Sequence, residues 1–214
     1  MITRVRPGPA LLASGVVAVV RGTSGDRTDA VLTTLAGAGV RCLEVTVNTP
    51  GALESLRPAR ERLPADVELG AGTVLRPEEI DAAADAGASF VVAPDTRAGV
   101  DARAPARGLG YYPGAFTPTE VGAAWELGAS AVKVFPAGAV GPRYLKEQGG
   151  PFRDIALLPT GGIGIDVAGD FIAAGTIAVG VGGPLVGDAL DGGSLDALSE
   201  RARRLMAAVA GARS

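Results

Sequence analysis

Short apolar runs rich in β-branched residues recur along the chain, and each is followed by a stretch with helical spacing. The first run, Val16-Val17-Ala18-Val19-Val20, ends at Arg21. A polar lead-in over 1–8 and a short helix over 9–15, closed by Gly15, precede it. Helical spacing then covers 26–38, with Val31, Leu32 and Leu35 on one face and Gly39 as its stop. The same unit repeats as a strand over 40–47 with a helix over 50–62, then a strand over 67–74 with a helix over 77–86. That third helix opens at Pro77, followed by two glutamates that suit a helix N-terminus. Strands over 88–93 and 108–112 follow, with a weak helix over 95–106 and a firmer one over 117–127. Thr117 and Glu120 in the latter stand at capping-box spacing. The last units are a strand over 129–135 with a helix over 141–148, a strand over 155–159 with a helix over 166–174, and a strand over 176–181 with a helix over 194–210.

Eight apolar strands alternating with helices predict an α/β fold with a parallel sheet covered by helices. With no linker and no shift in composition, the expected architecture is a closed (β/α)8 TIM barrel forming one domain over 1–214, led by the short N-terminal helix. A doubly wound open sheet is the alternative. Against it, no GxGxxG loop follows the first strand.

Composition narrows the function classes. The chain is 47% hydrophobic and 20% charged, enough for a sizeable core. Its 32 glycines and 15 prolines are scattered singly between apolar runs and act as punctuation. Net charge is −3 with no basic block, so nucleic acid is not an expected partner. No apolar stretch is long enough to predict a membrane span. The N-terminus lacks a secretory pattern, which makes the cytoplasm the expected location. The single cysteine, Cys42, allows no intramolecular disulfide and reads as a buried, inert thiol. Histidine is absent, which excludes a Ser-His-Asp triad, a Cys-His pair and a histidine-based zinc site. No metal or cofactor is expected.

One residue breaks the apolar pattern of its strand. The chain has two lysines, Lys133 and Lys146, and Lys133 lies inside Ala131-Val132-Lys133-Val134-Phe135. A buried amine has a lowered pKa, and the neutral amine is a nucleophile toward carbonyls. The structural alternative is a strand-end lysine whose ammonium reaches water along its apolar stem. Barrel enzymes place their chemistry at the C-terminal ends of strands. Arg21, Glu44, Thr46, Asn48, Thr73, Pro94, Lys133, Thr160-Gly161-Gly162 and Gly180-Val181-Gly182-Gly183 all fall there. By strand parity Glu44 shares a face with Cys42 and Thr46, and Lys133 shares one with Ala131 and Phe135. Both strands are even-numbered, so Glu44 and Lys133 are expected in one inward layer. They would act as an acid and an amine, or form a structural ion pair. The two glycine-rich loops suit phosphate or serve as tight turns.

The sequence resembles the class I aldolases that cleave 2-keto-3-deoxy-6-phosphogluconate, grouped with 4-hydroxy-2-oxoglutarate aldolase. The matching segments are Leu43-Glu44-Val45-Thr46, Gly70-Ala71-Gly72-Thr73-Val74, Pro113-Gly114 with Thr117-Pro118-Thr119-Glu120, Val132-Lys133-Val134-Phe135-Pro136-Ala137, Pro159-Thr160-Gly161-Gly162-Ile163 and the 180–183 loop. The resemblance implies that Lys133 forms a Schiff base and Glu44 shuttles protons. It implies that Arg21 and Thr73 contact the 2-keto acid, with Arg21 on the carboxylate. Pro94, Pro113 and Phe135 are implied walls of the pyruvate pocket. Thr160, Gly161, Gly162, Gly182 and Gly183 are implied phosphate contacts. The implied partners are a phosphorylated 2-keto-3-deoxy sugar acid and pyruvate, and the implied assembly is a homotrimer.

The chain departs from the family pattern in places. Asn48 stands where many phosphogluconate-type members have an arginine, and with Thr49-Pro50 it is similar to the branch acting on the phosphogalactonate epimer. Ala93-Pro94-Asp95 and Gly183-Pro184 also differ, the latter removing a hydroxyl from the phosphate loop. A non-aldolase phosphate-binding barrel and a catalytically idle barrel are the competing readings. Neither needs Lys133 beside Glu44.

Overall fold

A computed structural model describes residues 4–213, so residues 1–3 of the predicted lead-in, and Ser214, lie outside the described residues. The chain runs α1 (Pro9–Ser14), β1 (Val16–Val20), α2 (Thr28–Gly37), β2 (Cys42–Thr46), α3 (Ala52–Arg62), β3 (Glu68–Gly72), α4 (Pro77–Asp85), β4 (Phe90–Val92) and α5 (Val100–Ala106). It continues β5 (Gly110–Tyr112), β6 (Gly114–Ala115), α6 (Pro118–Glu126), β7 (Val132–Val134), α7 (Gly141–Gly149), β8 (Leu157–Pro159), α8 (Ala168–Ala173), β9 (Val179–Val181), α9 (Gly183–Val186) and α10 (Leu195–Arg213). This is an α/β fold built on a curled parallel sheet. Each predicted strand and helix is present, with ends shifted by a few residues.

The parallel strands fall into two hydrogen-bonded sheets, β5-β4-β3-β2-β1-β9 and β6-β7-β8. Two seams lie between them. At one, Pro113 separates β5 from the two-residue β6, which lies beyond the strand read over 108–112, because proline has no N–H to give to a ladder. Its carbonyl still accepts from the Lys133 N–H at 2.8 Å. At the other, Thr160 bridges Gly180 in parallel fashion and the Ile177 N–H donates to the Leu157 carbonyl at 3.1 Å.

Three local features differ from the sequence reading. Helix α5 begins at Val100, not 95, with Gly99 at φ 90° before it and Asp95 paired to Arg97 upstream. The predicted helix over 166–174 enters through a 3-10 turn at Ile165–Val167. The four-residue α9, with Pro184 in its first turn, is too short to carry a periodic signal.

Both faces of the strands are buried, which is why they read as continuous apolar runs. The outward face packs Val16, Ala18, Val20, Leu43 and Val45 against Val31, Leu32, Leu35, Leu56 and Ile80 of the helices. The inward face gathers Val17, Val19, Cys42, Phe90, Val92, Tyr112, Ala131, Leu158 and Ala178, with Leu11 of α1 added. The Glu68 carboxylate accepts from the Ala10 and Leu11 N–H groups at 3.0 and 3.3 Å, pinning α1 to the start of β3. Inside, glycine alternates with bulk. A Cβ on Gly70 would overlap the Phe90 ring, which lies 5.4 Å from the Tyr112 ring. Among the described residues no helix is long and apolar enough to cross a membrane.

Truncating the inner aromatic empties space that its neighbours cannot refill. Phe90→Ala is expected to lower the unfolding free energy by about 3–5 kcal/mol, and Gly70→Ala by about 1–3 kcal/mol through overpacking. The double variant is expected to cost less than the sum, because each change relieves the other. Urea unfolding of the four proteins measures this; strict additivity would refute the proposed exchange of glycine for ring.

Candidate active site

Lys133 sits at the centre of β7, between Gly114 of β6 and Leu158 of β8, and is 4% exposed. Glu44 lies in β2 between Val19 and Gly70 and is 2% exposed. Their strand neighbours of the same parity, Ala131 and Cys42, both belong to the inner cluster, so the acid and the amine point into the sheet's concave side. The cause is local: β-branched neighbours hold both residues in extended backbone, and their parity aims them inward. Among the described residues no ion pair or hydrogen bond joins them, and the buried Glu44 Oε1 has no hydrogen-bond partner. The space the carboxyl occupies depends on Gly72, where a Cβ would overlap it.

Burial pushes the Glu44 pKa up, while the charges of Lys133 and Arg21 oppose that rise without cancelling it. Burial pushes the Lys133 pKa down; Glu44 opposes this and Arg21 adds to it. Both shifts move the pair toward the neutral acid and the neutral amine. The arrangement therefore offers a nucleophilic nitrogen and a group able to give or take a proton at pH values closer to neutrality than the free side chains allow.

Above Lys133 opens a pocket of about 290 Å³. It is lined by Val19, Arg21, Lys133, Phe135, Thr160, Gly161, Gly162, Gly182, Gly183 and Pro184. Arg21 is held from one side, its guanidinium donating to Thr73 Oγ1 at 3.0 Å. Thr73 has φ 58°, a left-handed conformation uncommon outside glycine and a marker of imposed geometry. The Phe135 ring centroid lies 5.0 Å from Lys133 Nζ. Gly161 and Gly162 adopt φ 88° and 72°, which only glycine takes easily. Gly180 leaves room for the Thr160 side chain, where a Cβ would overlap it.

The structure thus brings Arg21, Lys133, Phe135, Thr160, Gly161, Gly162, Gly182 and Gly183 to one cavity, with Glu44 beside the amine and Thr73 beside the arginine. Asn48 is exposed in the turn after β2 and is not among the lining residues. Pro94 lines an adjoining pocket instead. Pro113 is buried at the β5–β6 joint, beneath Lys133 in the ladder. Pro184, marked in the sequence as a departure in the phosphate loop, lines the cavity, and so does Val19, which the sequence reading does not single out. Val19 shares its parity with Val17, a signal that alternation alone could have supplied.

The chain matches the model of the aldolase family described as KDPG and KHG aldolase over residues 10–200. It belongs to this family. The 2-dehydro-3-deoxy-6-phosphogalactonate aldolase of Escherichia coli K12 is 34% identical over 171 residues, covering 79% of this chain and 83% of the relative. The 2-dehydro-3-deoxy-phosphogluconate aldolase of Dickeya dadantii is 35% identical over 180 residues, covering 83% of each. The solved native KDPGal structure superposes with a TM-score of 0.86 at 32% identity, over 92% of this chain and 95% of its own. Aldolases are lyases, and the relatives of this chain carry both substrate names.

A buried amine in an aldolase costs stability. Lys133→Met replaces it with an apolar chain of similar length and is expected to raise the unfolding free energy at pH 7, by up to about 1–4 kcal/mol. The sign with pH follows from the lowered pKa. Below the ordinary lysine value of 10.5 the unfolded chain holds the proton that the folded site releases, so wild-type stability rises with pH through that window. The gap between Lys133→Met and wild type should therefore narrow from pH 7 to pH 10 in chemical unfolding. A constant gap would show that Lys133 titrates normally.

Proposed function

We propose that this aldolase works through a Schiff base on Lys133 and cleaves a 2-keto-3-deoxy-6-phospho sugar acid, 2-keto-3-deoxy-6-phosphogluconate, to pyruvate and glyceraldehyde 3-phosphate. The same chemistry extends to 4-hydroxy-2-oxoglutarate. The observation that carries the reading is a buried lysine amine, pushed toward neutrality, opening into a pocket beside an unpartnered buried carboxyl. A phosphate-binding barrel of another class would have no use for that pair, and an idle barrel would lose it.

In this mechanism the neutral Nζ attacks the C2 carbonyl, and Glu44 supplies the proton that lets water leave, giving an iminium. The iminium draws the C3–C4 bonding pair to itself, so the bond breaks to an enamine and an aldehyde as Glu44 takes the C4 hydroxyl proton. Glu44 then returns a proton to C3, and water releases pyruvate. The iminium is the electron sink, so these steps call for no metal or cofactor. Arg21, oriented by Thr73, pairs with the substrate carboxylate. Phe135 walls the pocket, with Pro94 and Pro113 behind it. Gly161, Gly162, Gly182 and Gly183 receive the phosphate through backbone N–H groups and glycine-permitted close approach, with Thr160, whose own N–H donates to the Val134 carbonyl at 2.9 Å, lining the pocket beside them. Asn48 acts at the rim, outside the lined pocket.

Two further parts of the reading are structural. The two sheets act as one closed (β/α)8 barrel and one domain, supported by the Thr160–Gly180 bridge at one seam and the unbroken backbone through Pro113 at the other. The working assembly is a homotrimer, supported by family membership. A second substrate reading, the phosphogalactonate epimer, is favoured by the phosphogalactonate aldolase of Escherichia coli and by Asn48. Cleavage of that epimer gives the same two products.

Borohydride reduction in the presence of pyruvate is expected to fix a pyruvyl adduct on Lys133, located by peptide mass mapping. Lys133→Ala is expected to lose cleavage by roughly four orders of magnitude or more, and Glu44→Gln by about 10²–10⁴-fold. Near-wild-type turnover in Lys133→Ala would refute the Schiff base. Coupled assays with the two epimers, compared by kcat/KM, decide which one is the substrate.

A further inference from the structure

Phe135 stands between two cavities. On one side is the Lys133 pocket of about 290 Å³, and on the other a wider one of about 490 Å³. Phe135 is the residue common to both linings. The ring is held where it is by a missing side chain. Gly161 lies beneath it, and a Cβ there would stand 2.6 Å from the ring's Cε2. At 38% exposure the ring is a wall at the mouth and not part of the packed interior.

The two cavities differ in charge. The Lys133 pocket holds the two cationic side chains Arg21 and Lys133 and the glycine loops. The adjoining one has apolar walls from Pro94, Phe116 and Leu127, and the ionisable residues in its lining are the carboxylates of Asp95 and Glu120. Glu120 accepts from the N–H groups of Phe116 and Thr117, which hold its pKa down and keep it charged. Asp95 is paired with Arg97. A phosphate is therefore drawn to the first cavity and repelled from the second, whereas an uncharged apolar group meets no penalty in the second.

We propose that Phe135 is a specificity-determining residue that closes the adjoining cavity to substrate, and that this cavity is a latent subsite for aldehydes with an apolar substituent. The proposal rests on the Schiff-base reading of Lys133 and concerns the addition direction. Pyruvate condenses with the Lys133 amine, losing water, and Glu44 removes a C3 proton to give the enamine. The enamine C3 attacks the aldehyde carbon and forms the new bond, while the carbonyl π pair becomes an alkoxide that takes the proton from Glu44. Water hydrolyses the iminium, releasing a 4-hydroxy-2-oxo acid and the free amine. With Phe135 in place the aldehyde substituent is confined to the Lys133 pocket; with the ring removed it extends past residue 135 toward α6.

The test uses pyruvate with benzaldehyde, following 4-hydroxy-4-phenyl-2-oxobutanoate by chromatography. Phe135→Ala is expected to raise kcat/KM for benzaldehyde by about tenfold or more over wild type, the scale on which a steric block discriminates. Phe135→Leu is expected to give a smaller gain and serves if the alanine variant fails to fold. Ala123→Trp, on the exposed face of α6 at the far wall of the adjoining cavity, is expected to cancel the gain when combined with Phe135→Ala. By itself it should leave cleavage of the phosphorylated substrate unchanged. Borohydride trapping separates the two layers of the argument. Pyruvate trapped on Lys133 in a folded Phe135 variant with no gain, or a gain that survives Ala123→Trp, overturns this proposal alone. No trapped pyruvate on wild type overturns the Schiff-base reading and this proposal with it.

Discussion

Space on the concave side of the sheet is the constraint that orders this molecule. The inner face must hold Phe90, Tyr112, Glu44, Lys133 and Thr160, and it does so by placing glycine opposite bulk. Gly70 yields to Phe90, Gly72 to the Glu44 carboxyl and Gly180 to Thr160. Close packing leaves no slack for these exchanges to be approximate, since one extra methyl group meets a ring or a carboxyl. The same trade recurs at the surface of the site, where Gly161 yields to Phe135. Core and candidate site are thus built by one device.

That crowding also sets the electrostatics. Glu44 and Lys133 are both buried but do not touch, so neither gains the short-range pairing that would hold it charged. Desolvation is then the leading influence on each, and it drives both toward neutrality. A direct ion pair would have done the opposite, fixing a protonated amine that cannot attack a carbonyl. In the Schiff-base mechanism proposed for Lys133, separation of the two groups keeps the amine able to attack, and Arg21, tethered to the left-handed Thr73, adds a positive charge that favours the neutral amine further.

The stability cost of an amine and an acid inside a sheet is offset by the apolar layers around them. The outward face of every strand is sealed against helices, and the inner face is plugged by Leu11 where α1 is tied to Glu68. The site is left open at the opposite end alone, where the loops after the strands carry the glycines and the mouth residues. Rigid strands hold the chemistry, and the loops shape what may enter.

By itself the sequence determined the order of strands and helices, because both strand faces are buried and the apolar runs are bounded by glycine and proline. It also marked Lys133, since a lysine in such a run breaks a pattern set by desolvation. Strand parity brought Glu44 to the same side as Lys133, because side chains alternate at a fixed period. Position at the strand ends marked Arg21, Thr73 and the glycine loops, and the family resemblance supplied their implied roles. Tertiary structure decided the rest. The break at Pro113 depends on whether a neighbour asks for an N–H there, which no local signal states. The roles of Gly70, Gly72 and Gly180 depend on which side chain lies across the sheet from them. The gap between Glu44 and Lys133, the exposure of Asn48 outside the pocket and the position of Phe135 between two cavities all follow from curvature. Curvature is a property of the assembled strands, and no single stretch of sequence carries it.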